Sequence, residues 1–182
     1  MDPVVPEAPH EVTEYGRVAR GEGWFVLNAR DASWYDRGER GAMCDFEAGQ
    51  DWAQVGVNLF VLGPGNPMSM YHWEADQEDF LVVHGEALLI AEGEERPLRQ
   101  WDFVHCPVGM SHVILGAGDG PCVVVAVGAR QHQDGDGWGG YSVDAAALRH
   151  GAGVETETTS AEEAYARFEK RKPSRYRDSW LP

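Results

Sequence analysis

Tyr71-His72-Trp73-Glu74-Ala75-Asp76-Gln77-Glu78, answered further on by Pro107-Val108-Gly109-Met110-Ser111-His112, sets two imidazoles and two carboxylates in strand-like sequence. Side chains alternate between faces along a strand, so His72 and Glu74 point the same way. Glu78 has the same parity, and a turn at Ala75-Asp76-Gln77 folds it back beside them. His112 opens another strand just after a Pro-x-Gly turn, where an antiparallel neighbour brings it across. Imidazole suits zinc, copper, iron and nickel, and carboxylate suits harder ions such as manganese and iron. His72, Glu74, Glu78 and His112 are therefore the candidate metal ligands, for a divalent Fe, Mn or Zn ion.

The sequence on either side is a run of short strands cut by turns. Val55–Leu62 is followed by the breaker Gly63-Pro64-Gly65-Asn66-Pro67. Strands are expected over Met68–Glu74, Glu78–Val83 and Glu86–Ala91, with a hairpin tip at Glu92–Glu95, then over Asp102–Cys106 and His112–Leu115. Cys122–Val127 is rich in β-branched residues and reads as a buried strand. Upstream, Trp24–Leu27 reads as a short strand, and Trp34, Tyr35 and Met43–Phe46 supply side chains to cover a sheet. Many strands at close spacing with Gly/Pro turns predict an all-β sandwich or barrel.

At 182 residues the chain is long enough for one domain with a sizeable core and terminal extensions. Residues 1–20 read as an N-terminal arm, 21–130 as the β domain, and 131–182 as a linker with a helical extension. Ser160 and Glu163 form a capping-box pattern before a helix expected over Ala161–Arg171, which Pro173 stops. Asp134-Gly135-Asp136 lacks the rest of a calcium-loop spacing and reads as a solvated turn.

A net charge of −15 argues against nucleic acid and against an anionic membrane surface. No apolar run approaches the roughly 18–20 residues of a membrane span, and the N-terminus lacks the basic and apolar regions of a signal peptide. These features predict a cytoplasmic protein. Cys44, Cys106 and Cys122 are odd in number and form no CxxC pair, which reads as buried reduced thiols; Cys106 alone lies near a candidate ligand. His84 lies roughly 20 Å along a straight strand from Glu78 and is not expected to bind the ion. His105 reads as a neighbour of the site or as exposed, and His10, His132 and His150 as solvated.

At these residues the chain resembles the cupin superfamily. His72, Glu78 and Gly85 fall in the register of that family's first motif, and Pro107, Gly109 and His112 in that of its second. The resemblance runs from about Val55 to Val127. Four positions depart from it: Glu74 stands for the second histidine, Asn66 and Trp101 for the opening glycines, and Gly116 for the final asparagine. Glu74 either binds the ion, giving a two-His, two-Glu site, or turns away, leaving His72, Glu78 and His112. The resemblance implies a jelly-roll β-barrel, a homodimer, and a metal-dependent enzyme acting on a small organic molecule, with oxygenase, isomerase or decarboxylase chemistry. A metal- or small-molecule-binding module without turnover, and a metal-free barrel with a His72–Glu74 ion pair, stand as the alternatives. Phe80 and Met110 are expected to line the pocket, and Tyr71 and Trp73, out of phase with the ligands, to pack on the outer face.

Overall fold

Strand alternation sorts the apolar residues into a shared interior and two outer faces. The computed structural model describes residues 5–50, 54–132 and 137–182. The Asp134–Asp136 turn lies outside the described residues. In chain order the elements are β1 (His10–Thr13), β2 (Gly16–Ala19), β3 (Trp34–Asp36), a 3-10 turn (Gly38–Arg40), β4 (Ala42–Asp45), β5 (Val55–Leu62) and β6 (His72–Glu74). They continue as β7 (Glu78–His84), β8 (Glu86–Ala91), β9 (Glu94–Arg99), β10 (Phe103–Cys106), β11 (His112–Ala117), β12 (Cys122–Ala129), β13 (Gly139–Tyr141), α1 (Ala145–Arg149), α2 (Ala161–Ala164) and β14 (Lys172–Ser174).

Two antiparallel sheets carry the fold. One has the order β10-β7-β12-β5-β4-β3-β14 and the other β13-β6-β11-β8-β9. Phe60, Phe80, Val82, Val104 and Val124 from the first sheet meet Ala87, Leu89, Leu98 and Ile114 from the second in one buried cluster. The alternate residues serve the outer faces. Ile90, Val113 and Leu115 pack with Tyr71 and with Ala146 and Ala147 of α1. Trp34, Cys44, Val61 and Val123 are covered by Tyr176, Trp180 and Leu181 from the C-terminus. β11 is therefore buried on both faces, which explains its nearly unbroken apolar run.

The hydrogen-bonded ladders do not close into a barrel. β10 and β14 end one sheet and β13 and β9 end the other, without pairing between those edges. Three other expectations change. Trp24–Leu27 is no strand; only Trp24 makes a bridge, to Glu7, and Val26 is exposed with no neighbouring strand to pair it. Part of the N-terminal arm is the β1–β2 hairpin. The segment read as a linker supplies β13, which adds to the edge of β6.

Of the helix expected over 161–171, one turn forms. The Ser160 side chain accepts from the Glu163 amide, and Ser160 N–H donates in turn to Thr158 Oγ1, which itself bonds the Glu163 carboxylate. Past Tyr165 the backbone bonds shorten to i→i−3 (Ala166 to Glu163, Phe168 to Tyr165), which ends the α-helix. No helix among the described residues is long and apolar enough to cross a membrane.

Of the motif departures, Gly116 acquires a physical reason and Trp101 a cost. Gly116 is opposed so closely by Gly63 that a Cβ would lie 2.1 Å from its carbonyl oxygen, so a larger residue does not fit there. Trp101 has φ of 76°, the left-handed conformation that a glycine adopts without cost.

Candidate metal centre

Register brings the two histidines together. His112 of β11 pairs directly with His72 of β6, and the rings lie 5.0 Å apart, centroid to centroid. Glu78 comes from the other sheet, at the start of β7. The turn that folds it back is pinned at two points. Ala75 N–H donates to the Trp138 carbonyl (2.8 Å), and the Asp76 carboxylate accepts from the His132 amide and contacts its Nδ1, both at 2.7 Å. Gly109, with φ of 81°, lets the Pro107–Met110 turn close, and its N–H donates to the Glu74 carbonyl at 2.8 Å.

Both imidazoles are locked in one tautomer. His72 Nδ1 lies 2.8 Å from the Met70 carbonyl and His112 Nδ1 3.0 Å from the Met110 carbonyl. A carbonyl only accepts, so each Nδ1 carries a proton and each Nε2 points inward, where its lone pair is free whenever the ring is neutral. His72 Nε2 lies 3.3 Å from Glu74 Oε1 and 3.5 Å from Glu78 Oε2, and His112 Nε2 lies 3.2 Å from Glu78 Oε2. The ligand atoms of His72, Glu78 and His112 all fall within 4.8 Å of one another, a set that Glu74 does not join.

Those atoms need a positive charge between them. His72 is 7% exposed and His112 1%. Glu78 Oε2 and His112 Nε2 are close but not aligned as a hydrogen bond, and each is buried without a hydrogen-bond partner. Burial by itself lowers the pKa of His72, but Glu74 and Glu78 outweigh it and raise it to about 10. Burial also acts downward on His112, and contact with Cys106 and with Glu78 reverses it, to about 9. Burial pushes Glu78 up, and the two imidazoles pull it well below the usual carboxylate range. Without an ion, protons on the histidines supply the missing charge. A divalent cation meets the same lone pairs with more charge, so the donor set fits one.

The cluster opens into a cavity of about 380 Å³, also lined by Phe80, Trp138, Tyr141 and Tyr165. The His72 ring packs 6.4 Å from Trp138 and 6.0 Å from Tyr141. Phe80 stands where parity put it, and Tyr71 packs on the outer face as expected. Met110 packs against the interior cluster and is not among the cavity-lining residues.

The remaining histidines have other roles. His84 sits at the far end of β7, opposite Val123. His105 is exposed and bonds Asp79 at 2.7 Å. The three expected to be solvated all have neighbours: His132 holds Asp76, His150 lies 3.2 Å from Glu95, and His10 packs edge-on to Phe25. All three cysteines are free and buried. Trp138, Tyr141 and the arginines that line the cavity were not visible as site residues. The pairing of Trp138 with Tyr141 across two glycines was the signal available, set in sequence otherwise typical of a loop.

Residues 58–128 match the family model described as a cupin domain. No curated protein matches the chain. Among solved structures, a sugar phosphate isomerase of the cupin superfamily from Silicibacter pomeroyi is 26% identical, covering 57% of this chain and 62% of its own, with a TM-score of 0.45. A protein described as a predicted oxalate decarboxylase from Thermotoga maritima is 18% identical, covering 57% of this chain and 97% of its own, with a TM-score of 0.50. The chain thus spans less than two thirds of the first of these, and its likeness to the second lies in the fold. Residues 58–128 thus match a cupin domain, set in the two-sheet architecture described above.

Proposed function

We propose that this protein is a metal-dependent enzyme acting on a small organic molecule, with a divalent iron, manganese or zinc ion held by His72, Glu78 and His112 and with Glu74 as a fourth donor. The observation that carries this reading is the buried meeting of two tautomer-locked Nε2 atoms with a carboxylate oxygen, two of the three lacking any hydrogen-bond partner. An ion bound there supplies a Lewis acid to a substrate oxygen. Phe80, Trp138 and Tyr141 give the cavity an aromatic wall against which an organic molecule can pack. Glu74, with 27% of its side chain exposed and Oε1 3.3 Å from His72 Nε2, would complete the donor set from the cavity side. Oxygenation, isomerisation and decarboxylation are the reaction classes this arrangement suits.

Metal analysis of the purified chain, before and after chelation and reconstitution, tests the reading. About one ion per chain is expected, and a chain that retains none of the three metals overturns it. Oxygen uptake with catechols, β-diketones and thiols then tests the oxygenase branch. A homodimer is part of the same reading: β10 is a sheet edge whose Phe103 is 63% exposed, and pairing with a second copy would cover it. Light scattering of the wild type and Phe103→Lys decides this; a wild-type monomer refutes it.

A further inference from the structure

The cavity that His72, Glu74 and Glu78 line is lined as well by Arg37, Arg40 and Arg171. Arg37 precedes and Arg40 ends the 3-10 turn between β3 and β4, and Arg171 immediately precedes β14. Arg37 is only 6% exposed. Its Nη2 donates to the Met68 carbonyl at 2.6 Å, and its guanidinium lies over the Phe60 ring at 5.0 Å. Its Nη1 is buried with no partner, as is Nε of Arg40. Arg40 lies 4.5 Å from the Tyr165 ring centre, and Arg171 lies 4.5 Å from that of Tyr35.

None of these three arginines forms an ion pair with a described carboxylate. Arg130, which lines the same cavity, is joined to Glu47 at 2.6 Å. A buried, unpaired guanidinium is expensive, and a chain with a net charge of −15 has many carboxylates that could have paired it. The three also lie within one another's field. Burial first, then the charges of Arg40 and Arg171, bring the Arg37 pKa down to about 9, which still leaves it a cation at neutral pH. Arg37 and Arg40 therefore bring positive charge and unused N–H donors to the cavity, in the shape that matches a carboxylate or phosphate, and the exposed Arg171 adds a third charge.

We propose that Arg37, Arg40 and Arg171 form an oxyanion subsite, and that the ligand of this cavity is a small organic acid, a carboxylate or a phosphate ester. These arginines hold its anionic group while the rest of the molecule reaches the His72–Glu78–His112 cluster. The second half rests on the metal-dependent reading above. Contacts from the cluster to the subsite run without a break: His72 to Tyr141 at 6.0 Å, Tyr141 to Tyr165 at 5.8 Å, and Tyr165 to Arg40 at 4.5 Å. Both ends of that wall line the same cavity.

The test is calorimetric titration of the full, metal-stripped chain at low salt with inorganic phosphate and, separately, with succinate. Stripping removes any anion binding by an ion. At least one of the two anions binds, and Arg40→Gln and Arg171→Gln each weaken it about ten-fold, as loss of a charge-assisted hydrogen bond should. Arg37→Gln has a larger effect but risks the fold, so the other two decide. Binding of phosphate alone assigns a phosphate ester, and of succinate alone a carboxylate. If neither anion binds, or if both variants bind as the wild type does, the subsite is refuted. Metal content, measured in parallel, stays at the wild-type level in Arg40→Gln and Arg171→Gln. A wild type without metal but with arginine-dependent anion binding would remove the metal-dependent reading and the second half of this proposal, and leave the subsite.

Discussion

His72 and His112 stand opposite each other in the β6–β11 register, and each bonds through Nδ1 to the carbonyl two residues before it, Met70 and Met110. The same short-range device thus aims both Nε2 atoms at Glu78. His112 is the better test of the pair, because it is fully enclosed and contacts Glu78 at 3.2 Å. His112→Ala should lower metal affinity by well over ten-fold, more than the loss of a supporting neighbour would. Glu74→Gln should lower it less, since Glu74 reaches only His72 and is partly open to the cavity. Metal content by mass spectrometry after dialysis reads both variants, and equal retention would mean that the ligands are wrongly chosen.

Trp101 carries a backbone cost that its side chain does not repay. Its φ is 76° and it is 68% exposed, while its N–H donates to the Val82 carbonyl at 2.7 Å, a bond that glycine keeps. Trp101→Gly should therefore stabilise the protein by about 1 kcal/mol, or about 2–4 °C in Tm for a chain of this size. Trp101→Ala keeps the strain and should show no such gain. A melting temperature for Trp101→Gly at or below the wild-type value would contradict this account.

The strands from Val55 to Val127 were legible because apolar alternation and Gly/Pro turns coincide there, and local rules suffice. His72, Glu78 and His112 were legible for the same reason: parity fixes the inward face, and the turn residues fix how far each strand swings back. What escaped reading depends on distant contacts. Gly139–Tyr141 has no strand pattern, and becomes a strand because β6 offers it an open edge. Tyr165 and Phe168 do follow helical spacing, but they are drawn off to Tyr141 and Arg40, and the helix stops after one turn. The arginines carry no motif at all. Arg171 is separated from Arg37 by most of the chain, and β14 pairing with β3 brings them to one cavity. Sheet closure was likewise invisible, because alternation says which face is buried and not which edges meet.

Cys44 and Cys122 are fully buried, and burial pushes their pKa values up, to about 12 and about 11. The thiolate is the reactive form, so neither should react with iodoacetamide in the folded chain at pH 8. Cys106, at 1% exposure, is likewise closed off by packing. Alkylation followed by mass spectrometry should find all three labelled only after unfolding. Rapid labelling of Cys44 under native conditions would show that the cover given to the outer sheet face by the C-terminal segment opens readily, and rapid labelling of Cys122 that the interior between the sheets does.

Asp36 ties that segment down, and its effect should depend on pH in a defined direction. Its Oδ1 accepts from Gly38 N–H at 2.9 Å and its Oδ2 from Arg177 at 2.6 Å. The Gly38 hydrogen bond does most to hold the carboxyl below its ordinary value; burial opposes this, and Arg177 adds to the lowering. A folded pKa below the unfolded one means that the contribution is present above the unfolded value of about 3.9 and lost as pH falls through the folded value. Asp36→Asn removes the charge at every pH, so it should be less stable than the wild type at pH 7 and at pH 5, and the gap should shrink by pH 3. With 38% of the side chain exposed, solvent and salt screen the pair, and the gap should stay below about 1 kcal/mol. Urea unfolding followed by tryptophan fluorescence suits the measurement, because Trp34 and Trp180 lie 4.9 Å apart at this junction. A gap that is the same at pH 3 and pH 7 would show that the Asp36 charge does not hold the C-terminal segment to the sheet.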